Sequence, residues 1–148
     1  MNDTYRVGLI ERVVPGASIH SLGLPDLECH RDDLTKQKQA RVLTSEGKQI
    51  AVLCTQGNSI LWMKASLLHK FVKEHGHTPF EELLRHFLQE LEGNTFTTTG
   101  TTIRGKNIIR RFLERNDAGI MKVNTDETLR VTLNPDAKTK LKPALKAV

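Results

Sequence analysis

From Thr78 to Gly93 the chain reads TPFEELLRHFLQELEG, and no other stretch constrains the fold as strongly. Phe80, Leu83, Leu84, Phe87, Leu88 and Leu91 recur at the three- and four-residue spacing of an α-helix, so they form one continuous apolar stripe. Thr78 is placed as the N-cap, Pro79 at the first helical position and Glu81 three residues after the cap, a Thr-x-x-Glu capping box. Gly93 is placed to close the helix. Such a stripe is stable only when it is covered, so the rest of the chain has to supply a core around it.

Upstream the apolar period is two. TYRVGLIERVV predicts a strand that Pro15-Gly16 stops. Residues 17–39 carry a candidate buried anchor in Leu22, Leu24 and Leu27 and a short polar helix in RDDLTKQK. ARVLTSEGKQIAVLCTQGNSILWM predicts a three-stranded antiparallel meander over about 40–45, 49–55 and 59–63, with SEGK and TQGNS as its turns. Trp62 follows Ile60-Leu61 in an apolar run and is expected to plug the core. ASLLHKFVKEHG then shifts to helical spacing, with Leu67, Leu68, Phe71 and Val72 on one face and Gly76 as the stop.

Beyond the long helix, NTFTTTG reads as a threonine-rich connector pinned to the core by Phe96. TTIRGKNIIRRFLERN predicts a helix capped at Thr101 or Thr102, with Ile108, Ile109, Phe112 and Leu113 turned inward and NDAG ending it. GIMKVNTDETLRVTLN predicts a hairpin with NTDE at its tip. DAKTKLKPALKAV is expected to be a flexible basic tail.

Charge is divided unevenly along the 148 residues. Residues 1–100 hold 11 Lys and Arg against 12 Asp and Glu, a net of −1, while residues 101–148 hold 11 against 5, a net of +6. A local positive field of this kind attracts polyanions. No run of eighteen apolar residues is present, so no membrane span is expected, and MNDTYRVGLIERVV does not have the pattern of a secretory signal. Cys29 and Cys54 are read either as a pair or as two thiols in a reducing compartment.

The order from Ala65 onward (helix, helix, connector, helix, two-stranded hairpin) resembles the winged helix-turn-helix superfamily over residues 65–134, roughly half the chain. IIRRFLERNDAGIMKVNTDETLRVTL looks like the last helix of that fold running into its wing. The resemblance implies a third helix in the major groove and a wing on the flanking backbone. The expected fold is therefore α+β: a small N-terminal antiparallel sheet (1–63), a winged-helix-like domain (64–134) and a basic tail (135–148). The gap from Gly93 to Thr102 is longer than a helix-turn-helix turn. In outline the chain is also similar to the LOTUS-type winged helix, a module associated with RNA and with helicase partners.

With the apolar face of the 103–116 helix inward, Lys106, Asn107, Arg110, Arg111 and Arg115 project outward or to its flanks. Arginine suits guanine and asparagine suits adenine, each through two hydrogen bonds. Arg104 and Lys106 near the helix start suit phosphate, as do the hydroxyls of Thr98, Thr99, Thr101 and Thr102. Lys122 and Arg130 on the hairpin suit the adjacent phosphates, and the lysine-rich tail adds attraction that ignores sequence.

Signals for catalysis and metals are weak by comparison. His75-Gly76-His77, Cys29-His30 and Cys54 are candidate ligands, but there is no C-x-x-C or H-E-x-x-H spacing. His69 and His86 read as ordinary helical residues, and Asp32-Asp33 as a solvated helix start. No phosphate-binding loop, dinucleotide glycine pattern or nucleophile elbow is present. The expectation is a non-enzymatic transcription regulator that binds double-stranded DNA and uses no cofactor or metal. It is expected in the cytoplasm or nucleoid, or in the nucleus of a eukaryote. A homodimer or protein contact through the N-terminal sheet is expected, and RNA binding and a purely protein–protein module remain open as alternatives.

Overall fold

The elements follow in the order β1 (Tyr5–Glu11), β2 (Gln39–Ser45), β3 (Lys48–Gln56), β4 (Ser59–Ala65), α1 (His69–His75), α2 (Pro79–Glu90), β5 (Thr95–Thr98), α3 (Ile103–Asn116), β6 (Gly119–Val123), β7 (Leu129–Leu133) and α4 (Ala137–Lys140). The structure, a computed structural model, describes residues 5–11, 39–46, 48–65, 69–98, 103–125 and 128–146. At 9–11, 39, 48, 49, 62, 64, 69 and 104 it describes the backbone. The expected features of residues 17–38, the cap at Thr101 or Thr102, and the Trp62 side chain lie outside the described residues.

The fold is mixed α and β, but its sheet is not the small N-terminal one expected. All seven strands join one sheet in the order β1-β2-β3-β4-β5-β7-β6. The difference lies in the threonine-rich connector. Thr95–Thr98 alternates half-buried and buried residues and forms β5, which pairs parallel to β4 and antiparallel to β7. β-branched threonine and Phe96 favour a pleated strand, and this strand joins the N-terminal meander to the C-terminal hairpin.

The three-stranded meander β2–β3–β4 forms as its two turns dictate, and β1 pairs antiparallel with β2. Two bulges interrupt it, leaving Ile50 and Leu61 as the extra residues. Strand alternation then gives the sheet two faces. Tyr5, Val7, Leu43, Leu53, Ile60, Phe96, Val131 and Leu133 join one core cluster with Phe71, Phe80, Leu83, Leu84, Phe87, Leu88, Ile109, Phe112 and Leu113 from the helices. The stripe on α2 is thus covered as its length requires. Val72, expected on the buried face of α1, is exposed. Phe71, expected on the same face, is buried and meets the Tyr5 ring edge-on at 4.9 Å, and Leu67 and Leu68 lie outside the described residues.

Helix ends follow local chemistry. The Glu81 N–H donates to Thr78 Oγ1 at 3.3 Å, and Pro79 begins α2. Gly76 has φ +77° and donates its N–H to Val72 O at 2.8 Å, the left-handed cap that glycine favours.

Residues 135–146 do not form the free tail expected. α4 buries Ala137, the following Leu141 is buried, and Leu145 packs against the core cluster. Gln89 Nε2 on α2 donates to the carbonyls of Lys138 (2.8 Å) and Leu141 (3.1 Å). The lysines masked a spaced apolar set, Ala137, Leu141 and Leu145, that lies on the core side of the segment.

Candidate nucleic-acid interface

α3 has a strong contrast between its two faces. Ile109, Phe112 and Leu113 are buried and Ile108 packs at the core margin, while Arg110, Arg111 and Glu114 are exposed. Arg110 Nη1 donates to Asn107 Oδ1 at 3.3 Å, one turn earlier. That bond aligns two side chains suited to base edges on the same outer ridge. Lys106 and Asn107 are half-buried beside them.

The remaining expected residues are distributed differently. Arg115 reaches α2 and pairs with the buried Glu81 carboxylate, so it ties two helices together rather than projecting freely. Arg104 lies in the first turn of α3, where the backbone is described. Thr99, Thr101 and Thr102 lie outside the described residues. Thr98, expected to meet phosphate, is buried on the helical side of the sheet and is not available to a polyanion.

Lys122 and Arg130 are exposed and directly opposite each other on β6 and β7. Strand alternation puts them on the sheet face away from Val131 and Leu129, hence away from α3. Thr97 is the next partner across from Arg130, and Ser59 the one beyond, with the Ser59 and Thr97 hydroxyls 2.9 Å apart. The structure therefore groups Asn107, Arg110 and Arg111 on one surface and Lys122 with Arg130 on another. Like charges opposed across a ladder repel, so the second pair favours an anion nearby.

A different polar cluster, not singled out from the sequence, holds the C-terminal segment. Glu82 of α2 is fully buried. Its Oε1 accepts from His77 Nε2 at 2.6 Å and the Ala144 N–H at 3.0 Å. Its Oε2 accepts from His86 Nε2 at 3.1 Å and the Leu145 N–H at 2.7 Å. Burial alone would push this carboxyl up. The hydrogen bonds from His77, His86, Leu145 and Ala144 outweigh it and hold the group well below the usual carboxylate range. With four donors on two oxygens its acceptor positions are filled, so the cluster is a clamp rather than an acid–base centre. The one local signal was Glu82 and His86 at i, i+4; His77 and the two amides come together only through the tertiary fold.

Other candidates for chemistry are also committed to structure. The His75 ring lies 4.5 Å from Phe71, and Cys54 is fully buried. A cleft of about 470 Å³ runs between β1, α2 and the C-terminal segment, with Arg41 in its wall. That guanidinium is held by Glu90 and by Thr55 Oγ1 at 2.9 Å, with its carbon 5.3 Å from the centre of the Phe87 ring. Among the described residues, no group of three or more His, Cys, Asp or Glu is placed to hold a metal ion, and no helix is long and apolar enough to cross a membrane. Compared with protein-family models and with curated protein sequences, the chain matches none.

Proposed function

We propose that this chain is a non-enzymatic nucleic-acid-binding protein that meets double-stranded DNA with the outer face of α3, in the manner of a winged-helix regulator. The observation that carries the reading is the exposed pair Arg110 and Arg111, beside Asn107, on a helix whose opposite side is locked into the core. A rigid helix presenting arginine and asparagine in this way suits base edges and phosphates. The net +6 of residues 101–148 supplies long-range attraction to a polyanion. α3 runs directly into the β6–β7 hairpin, the order of a recognition helix and its wing.

Two features shape the reading. β5 stands between α2 and α3, so α3 is not preceded by the tight helix–turn of a standard helix-turn-helix. Lys122 and Arg130 face away from α3, so the strand part of the hairpin and the helix do not share one flat footprint. These observations keep RNA in view as the polyanion, since its recognition depends on shape and backbone more than on one helix in a groove.

The test is fluorescence anisotropy of the purified chain against labelled random duplex DNA and structured RNA, at low and moderate salt. Duplex binding that weakens steeply with salt supports the reading. Preference for RNA transfers it to an RNA partner, and no binding to either polymer refutes it.

A further inference from the structure

Ile120 and Val123 are among the most exposed large apolar side chains described, at 71% and 61%, and both lie on β6. β6 is also the end of the sheet: β7 pairs with it on one side, and among the described residues no strand pairs on the other. The ladder shows which backbone groups face that open side. The Asn124 N–H donates to Thr128 O at 2.8 Å, and the Asn134 N–H donates to Ala118 O at 2.7 Å. Hydrogen-bonded pairs alternate along an antiparallel ladder, so the bonded pairs between these ends are Ile120 with Thr132 and Lys122 with Arg130. The N–H and C=O groups of Gly119, Met121 and Val123 therefore point outward, unpaired by β7.

We propose that β6 pairs with β6 of a second copy of this chain, antiparallel, about a two-fold axis through Met121. That register matches every outward group: Met121 meets Met121 of the second copy, and Gly119 meets Val123 in both directions. On the outer face Ile120 then lies opposite Lys122 of the second copy, twice by symmetry. Each pairing is favourable. The aliphatic stem of lysine covers the isoleucine while its ammonium stays in water, and no like charges are opposed. Exposed Val123 comes to rest over a residue with no side chain. Shifting the axis to Lys122 sets that lysine against its own copy, and shifting it to Ile120 leaves the outward groups of Val123 without a partner in β6. The paired segment is short, so the dimer is a reversible one with a dissociation constant on the order of micromolar, below the size class of obligate dimers. Two sheets joined in this way place the two α3 helices in symmetric positions on one side of a continuous sheet.

The test is sedimentation velocity on the full chain, without nucleic acid, over about 1 to 200 µM, a range chosen to bracket micromolar association. Concentration-dependent dimerisation is expected. Ile120→Lys sets lysines opposite each other at two places and should weaken the dimer about tenfold or more. Adding Lys122→Glu to it replaces both repulsions with opposite-charge pairs and should restore association. Both positions are exposed, so neither change disturbs the monomer fold, and circular dichroism checks this. A chain that stays monomeric throughout overturns the proposal. So does a dimer indifferent to Ile120→Lys, or one that the second substitution fails to rescue.

Discussion

Replacing Glu82 with Gln probes the best-defined polar arrangement in the molecule. The two oxygens of Glu82 each accept one imidazole N–H and one backbone N–H. A glutamine keeps one acceptor oxygen and places an NH2 group where the other oxygen was. An imidazole can change tautomer and accept from that NH2, but the backbone N–H of Ala144 or Leu145 cannot. Whichever way the amide is turned, one buried backbone donor faces another donor. An unsatisfied buried donor costs about 1–3 kcal/mol, and the remaining bonds lose the strengthening that a charged acceptor gives. Together these amount to about 3 kcal/mol, a large share of the roughly 5–15 kcal/mol that holds a domain folded.

The assay is urea denaturation of wild type and Glu82→Gln, with hydrogen exchange at Ala144 and Leu145 as a local readout. The expected result is a loss of about 3 kcal/mol together with loss of protection at those two amides. The effect also has a pH signature. The folded carboxyl lies below its unfolded value, so its contribution is fully present above about pH 4.3 and is lost as pH falls below that. The gap between the two proteins should therefore narrow in acid. Stability within about 0.5 kcal/mol of wild type at pH 7, the range of an ordinary surface substitution, with protection retained at both amides, would refute the clamp.

Arg110→Ala with Arg111→Ala should leave the urea midpoint unchanged and weaken duplex binding about 100-fold at low salt, because each lost arginine contact is worth about 1–3 kcal/mol; unchanged affinity in anisotropy removes α3 from the interface. Thr78→Ala removes the acceptor for the Glu81 N–H and should cost about 1 kcal/mol in the same denaturation assay. Gly119→Ala puts a methyl group 2.3 Å from Thr132 O and 2.9 Å from Leu133 Cα, both backbone atoms that cannot turn aside. It should destabilise the protein by about 1–3 kcal/mol, and thermal melting would show it.

What could be read from the sequence was local and periodic. The α2 stripe, its Thr78 cap, the meander turns and the inward face of α3 all follow from spacing within a dozen residues, and the structure has them. The joining of the sheet was not legible, because β5 is four residues long and its partners lie 38 and 37 positions away, at Ser59 and Thr132. The C-terminal segment was misjudged for a similar reason. Its lysines dominate the composition, while the groups that hold it, Glu82 and Gln89, are more than forty residues upstream. For the interface, the amphipathic pattern identified the outer face of α3 but not the diversion of Arg115 to Glu81, since the pattern carries no information about which helix packs alongside. That Lys122 and Arg130 lie on the face away from α3 follows from the burial of Val131 in the core, which the hairpin pattern alone does not fix.

The junction between β4 and β5 has only two paired positions, Ser59 with Thr97 and Ile60 with Thr98, whereas β2 and β3 share seven and β6 and β7 share five. Mechanically this is a short weld between two longer plates. A load pulling the plates apart within the sheet meets little resistance from the weld itself and passes to the core behind it, where Phe87 of α2 meets Phe96 of β5 edge-on at 5.5 Å. One end of α2 is fastened to β2 through Glu90 and Arg41, and the other to α3 through Glu81 and Arg115. A helix held at both ends in this way braces the two plates, and the shared apolar core beneath it, rather than the short weld, keeps them together.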